Sequence, residues 1–236
     1  PDYFGAHLNI GNIQMQRGDF HEAVQAYERS VTLGPRDALA RYSLGAALAR
    51  VERWEEAVTR YTESLDLGLD PALSANAELG LGLALIRLER TAEAIPHMEA
   101  ALAARPSDAE SHGGLALLLL ARGESGKAAR HFEQALATRP DDPEALNGLA
   151  WIRATAGSPA DRDGAKAIQL AGRAVELTGR RNAYYLDTLA AALAAVDSLD
   201  AAVATAREAL ELARAEGNAS LASEIEFHLS RYQQGN

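Results

Sequence analysis

Apolar residues recur at three- and four-residue spacing along most of the chain, which is the spacing of amphipathic α-helices. The stretch from 38 to 66 shows two such runs in succession: Leu39, Tyr42, Leu44, Ala47 and Leu48, then Trp54, Val58, Tyr61 and Leu65. The short stretch Val51-Glu52-Arg53 separates the two runs and predicts a tight turn. No stretch alternates with period two, so no strand is predicted. The pattern predicts antiparallel helix pairs, each with an apolar face that only a neighbouring pair can bury.

This pattern returns at a nearly constant interval. A small residue follows an aliphatic one at six places that are 34, 37, 34, 34 and 40 residues apart: Gly11, Gly45, Gly82, Ala116, Ala150 and Ala190. The first four copies carry a large residue at one fixed distance beyond it: Tyr27, Tyr61, Met98 and Phe132. The same four copies end in a proline: Pro35, Pro71, Pro106 and Pro140. Such agreement over several positions indicates an internal repeat.

In these positions the chain resembles the tetratricopeptide repeat (TPR) family over nearly its whole length. The resemblance implies an all-α fold, a right-handed superhelical α-solenoid of about six helix-turn-helix repeats whose first helices line a concave groove. The implied repeats are 4–37, 38–74, 75–108, 109–142, 143–182 and 183–216. Residues 1–3 are expected to end a truncated upstream repeat, and 217–236 to form a C-terminal capping helix. Another type of helical solenoid is the alternative.

The chain departs from the family pattern in three ways. No repeat has the first-helix tryptophan, whose place is taken by His7, Arg41, Glu78, His112, Leu146 and Leu186. The fifth and sixth repeats carry Ala171 and Ala206 where the earlier copies have a large residue. The fifth repeat also has extra residues in the Gly/Pro/Asp-rich stretch 157–164, which predicts a loop. All repeats keep small residues at the fixed repeat positions that call for them, so these departures do not change the predicted fold.

Composition narrows the classes of partner. The formal net charge is −10 and the sequence pI is about 5.1, so a nucleic-acid partner is not expected. The chain has no cysteine, which excludes disulfides and thiolate metal sites. The longest apolar run, Leu115 to Ala121, is far shorter than a membrane span, so this segment is not expected to insert into a membrane. A soluble segment is expected, with the bacterial cytoplasm and the periplasm both left open.

The residues that commonly carry catalysis show no catalytic arrangement. The six histidines include no H-E-x-x-H pair, and His97 and His131, at equivalent places in neighbouring repeats, supply only two ligands. The glycines Gly80, Gly82, Gly113 and Gly114 fall inside predicted helices, which suits close helix packing better than a phosphate loop. The sequence therefore predicts a protein that is not an enzyme and that has no cofactor and no metal.

The concave groove implied by the resemblance is the remaining candidate site. Its candidate partner-binding residues are Asn12, Tyr42, Arg50, Asn76, Arg87, Asn147, Trp151 and Tyr184. Aromatic residues can anchor a partner, and arginines can add charge-assisted hydrogen bonds. Ordinary packing between helices is the alternative role for each of them, Trp151 above all. TPR proteins that grip a C-terminal carboxylate need lysines where this chain has Leu8 and Asn76, so that clamp is not expected.

Three functional hypotheses follow. The first is a non-catalytic scaffold that binds a peptide or helix of a partner protein in the groove. The second is a recruiting tail of a larger bacterial enzyme. It rests on the C-terminal part, which includes Asn147 to Trp151 and Leu186 to Ala190. This part resembles the TPR tails of large multidomain proteins such as glycosyltransferase-like membrane proteins. The third is self-association through an uncapped N-terminal repeat, in which Phe4, Ile10 and Ile13 are expected to be partly exposed.

Overall fold

The computed structural model describes residues 3–157 and 162–235, and over these residues the chain is all α-helix with no strand. The helices are α1 (Phe4–Arg17), α2 (Phe20–Leu33), α3 (Ala38–Arg50), α4 (Trp54–Leu67), α5 (Pro71–Arg87), α6 (Thr91–Ala104), α7 (Ala109–Ala121), α8 (Ser125–Thr138), α9 (Pro143–Thr155), α10 (Gly164–Leu177), α11 (Ala183–Ala194), α12 (Leu199–Ala215) and α13 (Ala219–Gln233). The predicted all-α fold is confirmed. Much of the loop predicted at 157–164 lies outside the described residues.

The chain divides into two compact units, Pro1–Leu118 and Leu119–Asn236, called here the N-terminal and C-terminal units. In the N-terminal unit α1 packs on α2, α3 on α4 and α5 on α6, and each pair contacts the next. The first helices α1, α3 and α5 also contact one another in turn. In the C-terminal unit the first helices α9, α11 and α13 do the same. Each unit therefore presents a row of first helices as one face.

Aspartates and prolines define where several helices begin. The side chains of the residues before α3, α5, α9 and α10 accept hydrogen bonds from backbone N–H groups in the first turn: Asp37, Asp70, Asp142 and Asp163. Pro71 is the first residue of α5, where its missing N–H costs no helical hydrogen bond. Pro71 thus begins a helix instead of closing the second repeat, and the boundary expected between 74 and 75 lies inside α5.

The turns inside five helix pairs, α1–α2, α3–α4, α5–α6, α7–α8 and α11–α12, each contain a left-handed residue. Glycine supplies it after α1 and in the turn before α8, where Gly18 and Gly123 have φ of 84° and 77°. The corresponding residues of other repeats are not glycines: Glu52, Glu89 and Asp197, with φ of 60°, 58° and 60°. A side chain in this conformation costs about 1 kcal/mol or more, so the backbone geometry of the turn overrides local preference.

Glycines on first helices make room for large side chains on second helices. The Tyr61 ring of α4 lies between α3 and α5: a Cβ added at Gly45 would sit 3.0 Å from the ring, and one at Gly80 2.6 Å from it. Met98 of α6 lies in the same way against Gly82 and Gly114. These large side chains are 5% and 0% exposed. The two positions therefore fix how closely successive first helices approach.

The C-terminal unit shows the same contact between a first-helix glycine and a large second-helix side chain. Phe132 of α8 is 0% exposed and lies against Gly148 of α9. At its other end, α13 packs on both α12 and α11, with Ile225 fully buried in a cluster that includes Leu186 and Leu210. The helix expected in the last twenty residues is therefore present and joins the core of this unit.

Gly148→Ala is expected to lower the free energy of unfolding by about 2 kcal/mol, because the new Cβ would lie 2.3 Å from the buried Phe132 ring. Gly172→Ala on α10 is the matched control, since a Cβ there meets nothing within 4 Å. This control should raise stability by about 0.5 kcal/mol through helix propensity. Urea denaturation followed by circular dichroism measures both. Equal stabilities for the two variants would contradict the close-packing account.

Candidate functional site

The side chain of Asn12 on α1 is hydrogen bonded to the neighbouring helix α2. Its Oδ1 accepts a hydrogen bond from the Tyr27 hydroxyl of α2 at 2.8 Å. Tyr27 is 2% exposed, and burial raises its pKa to about 12. A buried hydroxyl needs such a partner, so one oxygen of Asn12 is committed to the fold.

Tyr42 and Asn76 lie in a network that joins two first helices of the N-terminal unit. Arg105, just after α6, donates from Nη1 to Asn76 Oδ1 at 2.7 Å and from Nη2 to the Ala75 carbonyl at 3.3 Å. The Tyr42 side chain hydrogen bonds to Asn76. Burial raises the pKa of Tyr42, while the Arg105 charge and the Asn76 hydrogen bond act in the opposite direction. Tyr42 of α3 and Asn76 of α5 thus connect the two helices, and both side chains are half-buried.

Arg50 and Arg87 stand at the last positions of α3 and α5, and both are exposed. The Arg50 guanidinium carbon lies 4.4 Å from the centre of the Phe20 ring. The Arg87 guanidinium carbon lies 5.9 Å from the centre of the Trp54 ring. Both arginines line one open cavity of about 330 Å³. They are the two candidates in the N-terminal unit with guanidinium groups at the surface.

Asn147 and Trp151 are four residues apart on α9 and therefore lie on the same side of that helix. Asn147 is 2% exposed, and its buried Oδ1 has no hydrogen-bond partner. It presents no surface to a partner. Trp151 is half-buried against an alanine-rich cluster, and its ring centre lies 5.8 Å from that of His228 on α13. Its packing role is therefore substantial.

His228 and Asp187 form an ion pair between α13 and α11. His228 Nδ1 donates to Asp187 Oδ2 at 2.9 Å, and the Asp187 side chain is 4% exposed. This hydrogen bond is the main cause of a raised His228 pKa; the charges of Asp187 and Glu224 add to it, against burial and Arg231. The second oxygen, Asp187 Oδ1, is buried without a hydrogen-bond partner. The sequence does not indicate this pair, because its members are 41 residues apart.

Tyr184 on α11 is the most accessible aromatic candidate, at 46% exposed. Burial of part of its ring and the charges of Glu224, Asp187 and Glu144 raise its pKa. Phe227, one turn beyond Glu224 on α13, is 61% exposed and was missed by sequence reasoning. The ring centres of Trp151, Phe227 and Tyr232 lie 5.8, 6.0 and 6.5 Å from that of His228, and Tyr184 lies near Glu224 and Asp187. We call Trp151, Tyr184, Phe227, His228 and Tyr232 the C-terminal aromatic face. It combines accessible rings with nearby carboxylates.

The histidines of the second helices show no metal centre. His97 Nδ1 lies 2.6 Å from Glu78 Oε2, an ordinary side-chain pair on α6 and α5. Across residues 3–157 and 162–235, no group of three metal-ligating side chains comes together. In the same part of the chain, none of the helices has the length and apolar character needed to cross a membrane.

Comparison with known proteins gives a family. The family described as "T7SS, ESX-1 secretion system protein EccA1, N-terminal domain" matches residues 2–150. The chain belongs to this family. A comparison with the curated proteins gives no match.

Solved structures similar to this EccA1-family chain are TPR proteins, which confirms the TPR resemblance. MamA (residues 41 to the end) from Desulfovibrio magneticus RS-1 is 22% identical, with a TM-score of 0.64 over 76% of this chain and 97% of that chain. YrrB, "a TPR protein with an unusual peptide-binding site", is 20% identical, with a TM-score of 0.60 over 73% and 85%. PilF from Pseudomonas aeruginosa is 19% identical, with a TM-score of 0.72 over 95% and 97%. At these identities the likeness is one of fold.

Trp151→Ala is expected to lower the free energy of unfolding of this EccA1-family chain by about 3 kcal/mol, because the ring packs on Ala154, Ala167 and Ala191. Trp151→Phe, which keeps a ring there, should lose less than half as much. Urea denaturation followed by circular dichroism measures both. A Trp151→Ala variant of unchanged stability would instead favour a role as a binding anchor.

The His228–Asp187 pair is expected to make stability depend on pH. Because the folded-state pKa of His228 is raised, the pair contributes its full stability below the unfolded-state pKa of about 6.5. This contribution is lost as pH rises through the raised value. The fall in unfolding free energy between about pH 6 and about pH 8 should therefore be smaller in His228→Gln than in the unaltered chain. His21→Gln, at an exposed position, is the control and should behave as the unaltered chain. Identical pH dependence in His228→Gln would exclude the pair as the source.

Proposed function

We propose that this chain is a non-catalytic interaction module that binds a segment of a partner protein through the C-terminal aromatic face. The observation that carries the proposal is the exposure of two rings on neighbouring first helices, Tyr184 at 46% and Phe227 at 61%. Aromatic side chains contribute strongly to binding when a partner desolvates them. The Tyr184 ring also carries a hydroxyl group, which can stay hydrated until a partner binds.

The helices that carry these rings are held by the core of the C-terminal unit. Leu186 on α11 and Ile225 on α13 are 0% exposed. The His228–Asp187 hydrogen bond adds a polar link between the same two helices. A surface held in this way loses little conformational entropy on binding, which favours affinity. Both a bound helix and an extended peptide are compatible with a row of first helices.

Recruitment of a partner in protein secretion is a second candidate, which the family match favours. That family is described as the N-terminal domain of an ESX-1 secretion system protein, so a module of this kind would bring a partner to a larger secretion component. A recruiting tail of a glycosyltransferase-like protein stays a prediction from the C-terminal sequence. Self-association also stays a prediction; Ile10 and Ile13 are 44% and 49% exposed, and Phe4 is half-buried.

The double variant Tyr184→Ala/Phe227→Ala tests the proposed face. Peptides are first selected on the unaltered chain from a random displayed library, and their Kd values are then measured by fluorescence anisotropy. The double variant should raise Kd by about tenfold or more, a loss of about 1.4 kcal/mol or more. Its stability should change little, because both side chains are exposed.

The matched control is Leu67→Ala/Leu177→Ala. These two side chains have similar exposure, 40% and 38%, but lie at the ends of second helices. The control should bind the selected peptides with unchanged Kd. If it loses as much affinity as the aromatic double variant, or if the aromatic variant binds normally, the proposed face is wrong.

A further inference from the structure

Two arginines of the N-terminal unit are held in a repeated arrangement outside the C-terminal aromatic face. Arg50 ends α3 and lies over the ring of Phe20, the first residue of α2. Arg87 ends α5 and lies over the ring of Trp54, the first residue of α4. Each guanidinium therefore lies over the first ring of the preceding second helix. The two positions are 37 residues apart, the spacing between the second and third repeats.

The charges of neighbouring arginines are already neutralised. Arg53 donates twice to Glu56 at 2.6 Å, and Arg90 donates twice to Glu93 at 2.7 Å. Within the described part of the chain, neither Arg50 nor Arg87 has an ion pair with a carboxylate. Within those residues, these two guanidiniums at one place are therefore not engaged in ion pairs, although the cavity that they line also includes Glu52.

A guanidinium that lies over a ring can still donate hydrogen bonds from its edges. A ring contacts the flat face of a guanidinium, whereas the N–H donors lie in its plane. Both arginines line the same open cavity of about 330 Å³, whose other lining residues are Ala49, Glu52 and Trp54. The cavity thus holds donors whose side chains are already partly ordered by the rings beneath them.

The net charge of the residues that line the cavity indicates which kind of anion can bind there. The lining includes two guanidinium groups and one carboxylate, that of Glu52, so one positive charge is left over. This balance suits a group with a single negative charge, because such a group neutralises the cavity. Arginine also matches the planar geometry of a carboxylate with paired hydrogen bonds.

We propose that the cavity formed by Arg50, Arg87 and Trp54 binds the side-chain carboxylate of an acidic peptide segment. The aspartate or glutamate lies between the two guanidiniums and accepts hydrogen bonds from both. The site differs from a clamp for a terminal carboxylate, because it is built from arginines at helix ends and needs no free chain terminus. It is separate from the C-terminal aromatic face, so it adds a second point of attachment with its own charge preference.

The test uses a hexapeptide of alternating Asp and Glu, acetylated and amidated at its ends, and its Asn/Gln counterpart as the uncharged probe. Binding to the full chain is followed by nuclear magnetic resonance of the arginine Nε–Hε groups. The acidic peptide should shift the Arg50 and Arg87 signals and bind more weakly as NaCl is raised from about 50 to about 200 mM. The uncharged peptide should shift neither signal.

Arg50→Gln and Arg87→Gln should each weaken binding of the acidic peptide by about tenfold. Arg53→Gln is the matched control, because it removes an arginine of the same turn that is already paired with Glu56. It should leave the affinity unchanged. Tyr184→Ala/Phe227→Ala should also bind the acidic peptide normally, which separates this site from the proposed function.

Circular dichroism confirms that each variant is folded before its affinity is compared. Unchanged affinity in the double variant Arg50→Gln/Arg87→Gln would overturn the proposal. Equal binding of the uncharged peptide would overturn it as well. Inorganic phosphate that binds the same arginines more tightly than the acidic peptide would overturn the assignment of the ligand as a carboxylate.

Discussion

Large buried side chains on second helices lie where a neighbouring first helix carries a glycine and therefore has no Cβ. Tyr61 lies against Gly45 and Gly80, and Met98 against Gly82 and Gly114. In the C-terminal unit Phe132 meets Gly148 in the same way. The contact fixes the distance between helices in a protein whose individual helix pairs are too small to bury their own apolar faces.

Later in the chain the sizes are exchanged between the two helices, so that the first helix carries the larger residue. The second helix α10 has Ala171 where earlier repeats have a ring or methionine, and the next first helix has Thr188 where Gly148 stands on α9. Both residues are almost fully buried, at 0% and 1% exposed. Such compensation is what a close-packed interior requires. It also explains why the fifth repeat keeps the fold without the large residue of the family pattern.

Regular stacking brings residues from distant parts of the sequence to one face. Repeat spacing and helix periodicity were sufficient to predict the all-α fold, the turn at Val51-Glu52-Arg53 and the last helix, because each depends on local pattern. The left-handed conformation of Glu52 could not be predicted, since it is imposed by the geometry of the turn. The burial of Asn147 and the His228–Asp187 pair depend on where α11 and α13 lie, which no local pattern contains. Of the candidate site, the sequence could therefore name first-helix residues but could not separate packing residues from accessible ones.

The most direct test of the size-complementary contact is a double-mutant cycle that combines Phe132→Leu with Gly148→Ala. Urea denaturation of the four proteins gives the coupling free energy between the two positions. If the Phe132 ring occupies the space left by the missing Cβ of Gly148, the smaller leucine should relieve the crowding that alanine causes. The double variant should then be at least about 1 kcal/mol more stable than the sum of the two single losses implies. Additive losses would show that the two positions act independently and would contradict the account.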